Sequence, residues 1–208
     1  MMRAFIAITP PISLQQSFAE VRAMIGQHAF PWRWVQPAQV HVTLKFLGEV
    51  APSLLDPIAH AMRRTVVSQT PFTLSVQEIG CFPSQSRPRI LWMGLHDPQQ
   101  QLTQLQQRLD AELTVLGFPP EERPFRPHLT LARAPHNTRE QPQLAPLLQV
   151  YRGRSFGEIA VEHLQLLQSQ LRREGAVYTL LRSIPLPDTS PQPQGMHPAG
   201  EGQTHARG

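Results

Sequence analysis

A chain of 208 residues with 40% hydrophobic content can bury a real core, in one compact domain or two small lobes, and its single cysteine, Cys81, rules out an intrachain disulfide. The formal charge of +4 is a mild basic excess that favours a polyanionic ligand without specifying one, and the lone cysteine makes a reducing cytoplasm the default compartment. No run of residues is long and apolar enough to read as a membrane span.

Ala4 to Ile8 is too short for a signal h-region and runs into Pro10-Pro11, so it reads as a buried first strand. Leu14, Phe18, Val21 and Ile25 then recur at helical spacing, with Ser13 as a cap candidate. Trp32 to Val35 leads through Pro37 into an apolar strand that Gly48 is expected to close. Ser53 is placed to cap a second helix carrying Leu55, Ile58, Met62 and Val66, with Pro57 early enough to be tolerated. Phe72 to Ile79 alternates as a strand, Cys81 to Pro88 reads as a loop, and Ile90 to Leu95 is another strand. Asp97-Pro98 opens a helix with Leu102, Leu105, Leu109, Leu113 and Leu116 on one face, ended by Gly117. A proline-rich approach leads to a second motif strand. A short helix around Gln143 to Val150 follows, then strands near Glu158 to Leu167 and Val177 to Ile184. The organisation expected is one folded domain over 1–187 and a disordered Pro/Gly/Gln-rich tail over 188–208, where apolar residues almost vanish.

The informative pattern is a repeat: His41-Val42-Thr43-Leu44 returns as His128-Leu129-Thr130-Leu131. Strand side chains alternate, so His41 and Thr43 share one face while Val42 and Leu44 anchor the other, and the second copy behaves alike. The separation is far more than a hairpin needs, which predicts two similar halves facing each other across one two-histidine cleft. Such a pair suits in-line displacement at phosphorus. One imidazole removes a proton from the nucleophile, the other protonates the leaving oxygen, and an ordinary pKa of about 6.5 lets both roles coexist near neutrality. The threonine hydroxyls can donate to the phosphoryl oxygens as charge builds there. Local cations are Arg133 and Lys45, the only lysine in the chain, which by alternation shares the face of His41 and Thr43 and reads either as a phosphate contact or as a solvated charge at the strand end.

A single His-x-Thr in a strand is common and weak evidence; two copies in matched apolar strands are not. A zinc site is disfavoured because neither motif has a third His, Cys or carboxylate at ligand spacing. His28, His60, His96, His136 and His163 lack a repeated hydroxyl partner and read as surface or helix residues, with His197 and His205 in the tail. Trp32, Trp34, Phe46 and Phe82 could stack on a nucleobase, but core packing is the better reading of each. Regular alternation places Phe46 on the anchoring face.

With these residues in hand, the chain resembles the two-histidine (2H) phosphoesterase superfamily and, within it, the bacterial and archaeal RNA 2′,3′-cyclic phosphodiesterases, historically called 2′-5′ RNA ligases. The resemblance spans nearly everything before the tail. It rests on Arg3 to Ile8, Trp34-Val35, His41 to Glu49, Gly80-Cys81-Phe82-Pro83, Arg89-Ile90-Leu91-Trp92, Phe125 to Arg133, and Leu167 to Leu171 with Gly175 and Tyr178. It implies an α+β, bilobal fold in which two antiparallel sheets flank a central cleft, with helices outside. It implies hydrolysis of 2′,3′-cyclic phosphate ends of RNA, tRNA fragments among them, to 2′-phosphates. No cofactor or metal is needed, and ATP-independent joining or cleavage of 2′-5′ linkages is a related activity. By position His41 matches the proton donor, His128 the proton acceptor and Arg133 a phosphate contact. Strict alternation from Thr130 puts Arg133 on the wrong face, so that role requires the strand to end or bulge. A monomer without membrane association is expected. The alternatives are a small-nucleotide phosphodiesterase acting on cyclic ADP-ribose derivatives or 2′-5′ oligoadenylates, and a binding module that holds RNA ends without turnover.

Overall fold

The computed structural model describes residues 1–28, 31–85, 87–135, 138, 141–172 and 175–188. The tail beyond 188, with His197 and His205, and the surface reading of His136 lie outside the described residues. The elements are β1 (Met2–Ile8), α1 (Leu14–Gly26), β2 (Arg33–Trp34), β3 (Val42–Val50), α2 (Leu55–Val66), β4 (Phe72–Phe82) and β5 (Ile90–His96). After these come α3 (Gln101–Thr114), β6 (His128–Arg133), α4 (Leu144–Gln149), β7 (Ser155–Val161), β8 (His163–Arg172) and β9 (Gly175–Pro185). Short 3-10 turns at Pro37–Gln39 and Pro52–Leu54 precede β3 and α2.

The strands form one antiparallel sheet in the order β7-β4-β5-β6-β3-β1-β8-β9, with β2 paired to β6. This order repeats outward from its middle: β3 beside β1 and β6 beside β5, each pair joined by a long helix, α1 or α3. The two sheets expected to flank a cleft are therefore a first lobe, β3-β1-β8-β9, and a second, β6-β5-β4-β7. A single register pair between β3 and β6, Val42 with Leu129, joins them. The lobes are not the two halves of the chain. Strands from both ends build the first lobe, and the apolar run expected near Glu158 to Leu167 divides at Glu162, sending β7 to one lobe and β8 to the other.

The helical periodicity is realised with its apolar residues inward. Leu14, Phe18, Val21 and Ile25 are buried on α1, which packs on β7 of the second lobe. Leu102, Leu105, Leu109 and Leu113 are buried on α3, which packs with α2 and β3 of the first. Each long helix thus leaves one lobe, covers the other and returns. The Asp97 carboxylate accepts the backbone N–H groups of Gln101 and Leu102, ending the orphan donors of α3, whereas the hydroxyls of Ser13 and Ser53 make no cap bond. Gly48 does not close its strand. It sits at φ +68 beside a bulge at Leu47, and β3 continues to Val50. At the other expected boundary, Cys81 and Phe82 belong to β4, so the loop starts later than predicted.

Two bulges matter most. In β3, Thr43 pairs with Ala7 and Lys45 with Ile6, leaving Leu44 as an extra residue. In β6, Thr130 pairs with Trp92 and Ala132 with Leu91, leaving Leu131 extra. Both bulges fall at the fourth position of the repeated tetrad, and both reverse the alternation after it. Lys45 consequently turns to the helix side. It is 3% exposed, forms an ion pair with Asp110 of α3 at 2.8 Å and donates to the Pro119 carbonyl, which corrects its expected place beside a phosphate. Phe46 turns the other way and is 58% exposed, not core.

Removing one member of this ion pair strands the other charge in the sheet–helix layer. Lys45→Ala or Asp110→Ala should each lower unfolding stability by about 3 kcal/mol in denaturant titration, while Lys45→Met with Asp110→Leu should recover most of it. Single variants as stable as the parent protein would show the pair to be a solvated contact.

Candidate active site

The Val42–Leu129 pair sets the geometry. Both side chains are fully buried on the helix side, so the flanking residues face the concave side. In an antiparallel register the neighbours of that pair are His41 with Thr130 and Thr43 with His128. Each histidine therefore stands, in register, beside the threonine of the other copy. His41 stands immediately before β3 and His128 opens β6; both are half-buried, as are the two threonines.

The imidazoles are held in one way. His41 Nδ1 lies 2.8 Å from the carbonyl oxygen of Gln39 and His128 Nδ1 lies 2.7 Å from that of Arg126, two residues upstream in both cases. A carbonyl can only accept, so each Nδ1 carries a proton and donates it, leaving both Nε2 atoms for chemistry. An aromatic ring meets each imidazole edge-on: Tyr178 against His41 at 5.1 Å and 90°, Phe82 against His128 at 5.1 Å and 87°. Phe5 lies 4.8 Å from His41, and Trp92 packs on Phe82 at 5.1 Å. The indole of Trp92 spreads over Gly80, where a Cβ would come within 2.2 Å of the ring. Glycine is required there by close approach.

Arg133 reaches the site through the second bulge. Leu131 and Ala132 are both buried, and Arg133 returns to the Thr130 face, exposed. The condition set on it by alternation is thus met. Its charge bears on both histidines and on Tyr178. Its counterpart in the first repeat is Phe46, so symmetric positions carry a guanidinium on one side and a phenyl ring on the other. Of the six residues singled out in the sequence, the structure brings together His41, Thr43, His128, Thr130 and Arg133, and turns Lys45 away. Sequence reasoning missed Phe5, Tyr178 and Trp92 as walls of the site and took Phe82 for core. Their only signal was strand alternation, which cannot tell which strands lie side by side. Trp32 is core as expected, and His28, His60, His96 and His163 are exposed away from the cleft. Among the described residues no cluster of three His, Cys, Asp or Glu could hold a metal ion.

Burial holds the pKa of His41 below its ordinary 6.5. The bond to Gln39 opposes this, and the charges of Arg133 and His128 add to it. His128 is likewise lowered by burial and Arg133 against the opposing bond to Arg126. NMR titration should show both imidazoles protonating below 6.5, and Arg133→Gln should move both upward by removing a nearby positive charge. Because the folded values are depressed, the unfolded chain takes up these protons first. Stability should fall as pH drops from about 6.5 through the folded values, and titration of both rings at or above 6.5 would contradict the burial argument.

Comparison with known proteins agrees with this geometry. The family model of the 2'-5' RNA ligase superfamily matches residues 10–173. The RNA 2',3'-cyclic phosphodiesterase of Archaeoglobus fulgidus is 33% identical over 185 residues, covering 87% of this chain and 98% of that protein. Its namesake from Methanothermobacter thermautotrophicus is 31% identical over 178 residues, covering 86% and 95%. Among solved structures, Escherichia coli LigT in its apo form superposes with a TM-score of 0.70 at 27% identity, covering 90% of this chain and 98% of LigT. LigT complexed with 3'-AMP gives the same TM-score at 28% identity, covering 90% and 99%. With the repeated His-x-Thr motifs meeting across one seam and the model matched over most of its length, the chain belongs to the 2'-5' RNA ligase superfamily of two-histidine phosphoesterases.

Proposed function

We propose that this protein is a metal-independent RNA 2′,3′-cyclic phosphodiesterase that opens the terminal cyclic phosphate to a 2′-phosphate. The observation that carries this reading is the pair of imidazoles with both Nδ1 atoms bound to carbonyls, neither Nε2 hydrogen-bonded among the described residues, and each histidine beside the other motif's threonine in register. In the step this arrangement supports, neutral His128 removes a proton from water, and the water oxygen attacks phosphorus. The P–O3′ bond breaks as protonated His41 gives its proton to O3′. The products are a 3′-hydroxyl and a 2′-phosphate, and solvent exchange restores the two protonation states. Thr43, Thr130 and Arg133 receive the charge that gathers on the non-bridging oxygens. Attack by a 5′-hydroxyl in place of water, with the cyclic phosphate opening so that O3′ leaves, would form a 2′-5′ linkage by the same proton transfers. The names of the relatives and the nucleotide held by LigT support the substrate class.

The reading extends to a cytoplasmic monomer with its catalytic domain over 1–187. No helix among the described residues is long and apolar enough to cross a membrane, and burial pushes the Cys81 thiol up to about 12, keeping it unreactive.

Incubation with an oligonucleotide ending in a 2′,3′-cyclic phosphate, in excess EDTA, should give predominantly 2′-phosphate by phosphorus NMR. His41→Ala and His128→Ala should each reduce turnover by about 10²- to 10⁴-fold while the protein stays folded, and the double variant should be little worse than the poorer single one. Near-parental activity in either single variant, or activity that needs added metal, would defeat the reading; predominant 3′-phosphate would exchange the two histidine roles. Truncation after Pro187 should leave both turnover and melting temperature nearly unchanged, and a large fall in either would make the tail part of the working enzyme.

A further inference from the structure

Beside His41 lies a cavity of about 230 Å³ that the phosphate chemistry leaves unused, lined by Thr9, Gln39, Gln165, Leu167, Tyr178 and Leu180. No lysine or arginine lines it, so it does not suit a second phosphate. Polar and apolar groups share its lining: the Tyr178 ring, the buried Leu167 and the half-exposed Leu180 supply the apolar part. Beside the Thr9 hydroxyl and the His41 imidazole, its polar groups include two amides, each engaged on one side only. Gln39 donates through Nε2 to the Ala176 carbonyl of β9, which leaves its Oε1 as an acceptor. Gln165 accepts the Thr9 hydroxyl through Oε1, which leaves its Nε2 as a donor. Among the described residues neither remaining atom has a hydrogen-bond partner.

A cavity with one aromatic and two aliphatic side chains in its wall, one free acceptor and one free donor suits a planar heterocycle whose edge carries both. Every nucleobase has such an edge, and single-stranded RNA is read by stacking together with hydrogen bonds to that edge. A few placed polar groups in an apolar pocket fix orientation and selectivity. His41 forms part of the same wall, so a nucleotide whose O3′ meets that imidazole has this cavity within reach of its base. We propose that the cavity receives the base of the nucleotide bearing the cyclic phosphate and that Gln165 sets which bases are preferred. This rests on the cyclic phosphodiesterase reading of the site. Gln39 is the less informative probe, because its own backbone carbonyl also holds His41.

The test compares kcat/KM for the four nucleoside 2′,3′-cyclic monophosphates with that for 1-O-methylribose 2′,3′-cyclic phosphate, which has no base. The parent protein should favour its best nucleoside substrate over the base-free one by about tenfold or more, mainly through KM. Gln165→Leu preserves side-chain bulk and should shrink that advantage by roughly 3- to 10-fold, the worth of one hydrogen bond. Gln165→Glu, which can only accept, should shift preference away from uracil and toward adenine, cytosine and guanine, whose exocyclic amino groups donate. Ratios between substrates are insensitive to partial loss of folded protein. Equal turnover of all five substrates, or preferences unaltered in both variants, would overturn the base subsite while leaving the two-histidine chemistry standing. Failure of the parent protein to turn over any of the five would remove the phosphodiesterase reading and this subsite with it.

Discussion

Everything on the concave face depends on one pair of residues. Val42 and Leu129 are the only register pair between β3 and β6, and both are fully buried. Because strand side chains alternate, burying these two on the helix side obliges the residue on each side of them to face the cleft. Antiparallel pairing then crosses the motifs, so that His41 neighbours Thr130 and Thr43 neighbours His128. A seam of one pair contributes little by itself. Its register is kept by the helices instead: α1 leaves the first lobe to pack on β7, and α3 leaves the second to pack on α2 and β3. The apolar positions that make those helices amphipathic therefore also hold the two imidazoles on one cleft.

Within this near-symmetric frame the chemistry is asymmetric. Both bulges expose the residue six places into the motif, which is Phe46 in one lobe and Arg133 in the other. The frame places two histidines equivalently; a phenyl ring in one lobe stands where a guanidinium stands in the other, so of the two bulges only the second presents a cation. The edge-on rings repeat the contrast. Tyr178 meets His41 where Phe82, which has no hydroxyl, meets His128, and burial raises the pKa of the Tyr178 phenol.

How much of this could be read from the residues alone follows from where alternation holds. From His41 to Leu44 and from His128 to Leu131 the period of two is intact, and the catalytic face is legible there. It fails one step later, because neither Leu44 nor Leu131 is flanked by the glycine or proline that usually marks a bulge. Lys45 and Phe46 are thereby interchanged between faces, whereas Arg133 benefits from the same irregularity. Gly48, the residue that looks like punctuation, sits beside a bulge inside a continuing strand. Helices were legible from their buried leucines, since a helix declares its inward face by itself. Strand partners were not, because pairing is a property of two distant segments. That is why the apolar run through Glu162 reads as continuous although its parts enter different lobes, and why Phe5, Tyr178 and Trp92 could not be assembled around the histidines.

The sharing of strands between the chain ends has a consequence for how the protein comes into being. When synthesis has reached β7, the second lobe has all of its strands, and His128 already has Phe82 and Trp92 about it. The strands of the first lobe, β1 and β3, were made long before, yet the open edge of β1 must wait for β8, and Tyr178 arrives later still on β9. A nascent chain thus carries an unpaired apolar strand edge for most of its time on the ribosome, the arrangement most exposed to wrong pairing. The Tyr178 side of the His41 wall is supplied by the last strand of the sheet, so the two imidazoles face one finished cleft only when the final hairpin docks.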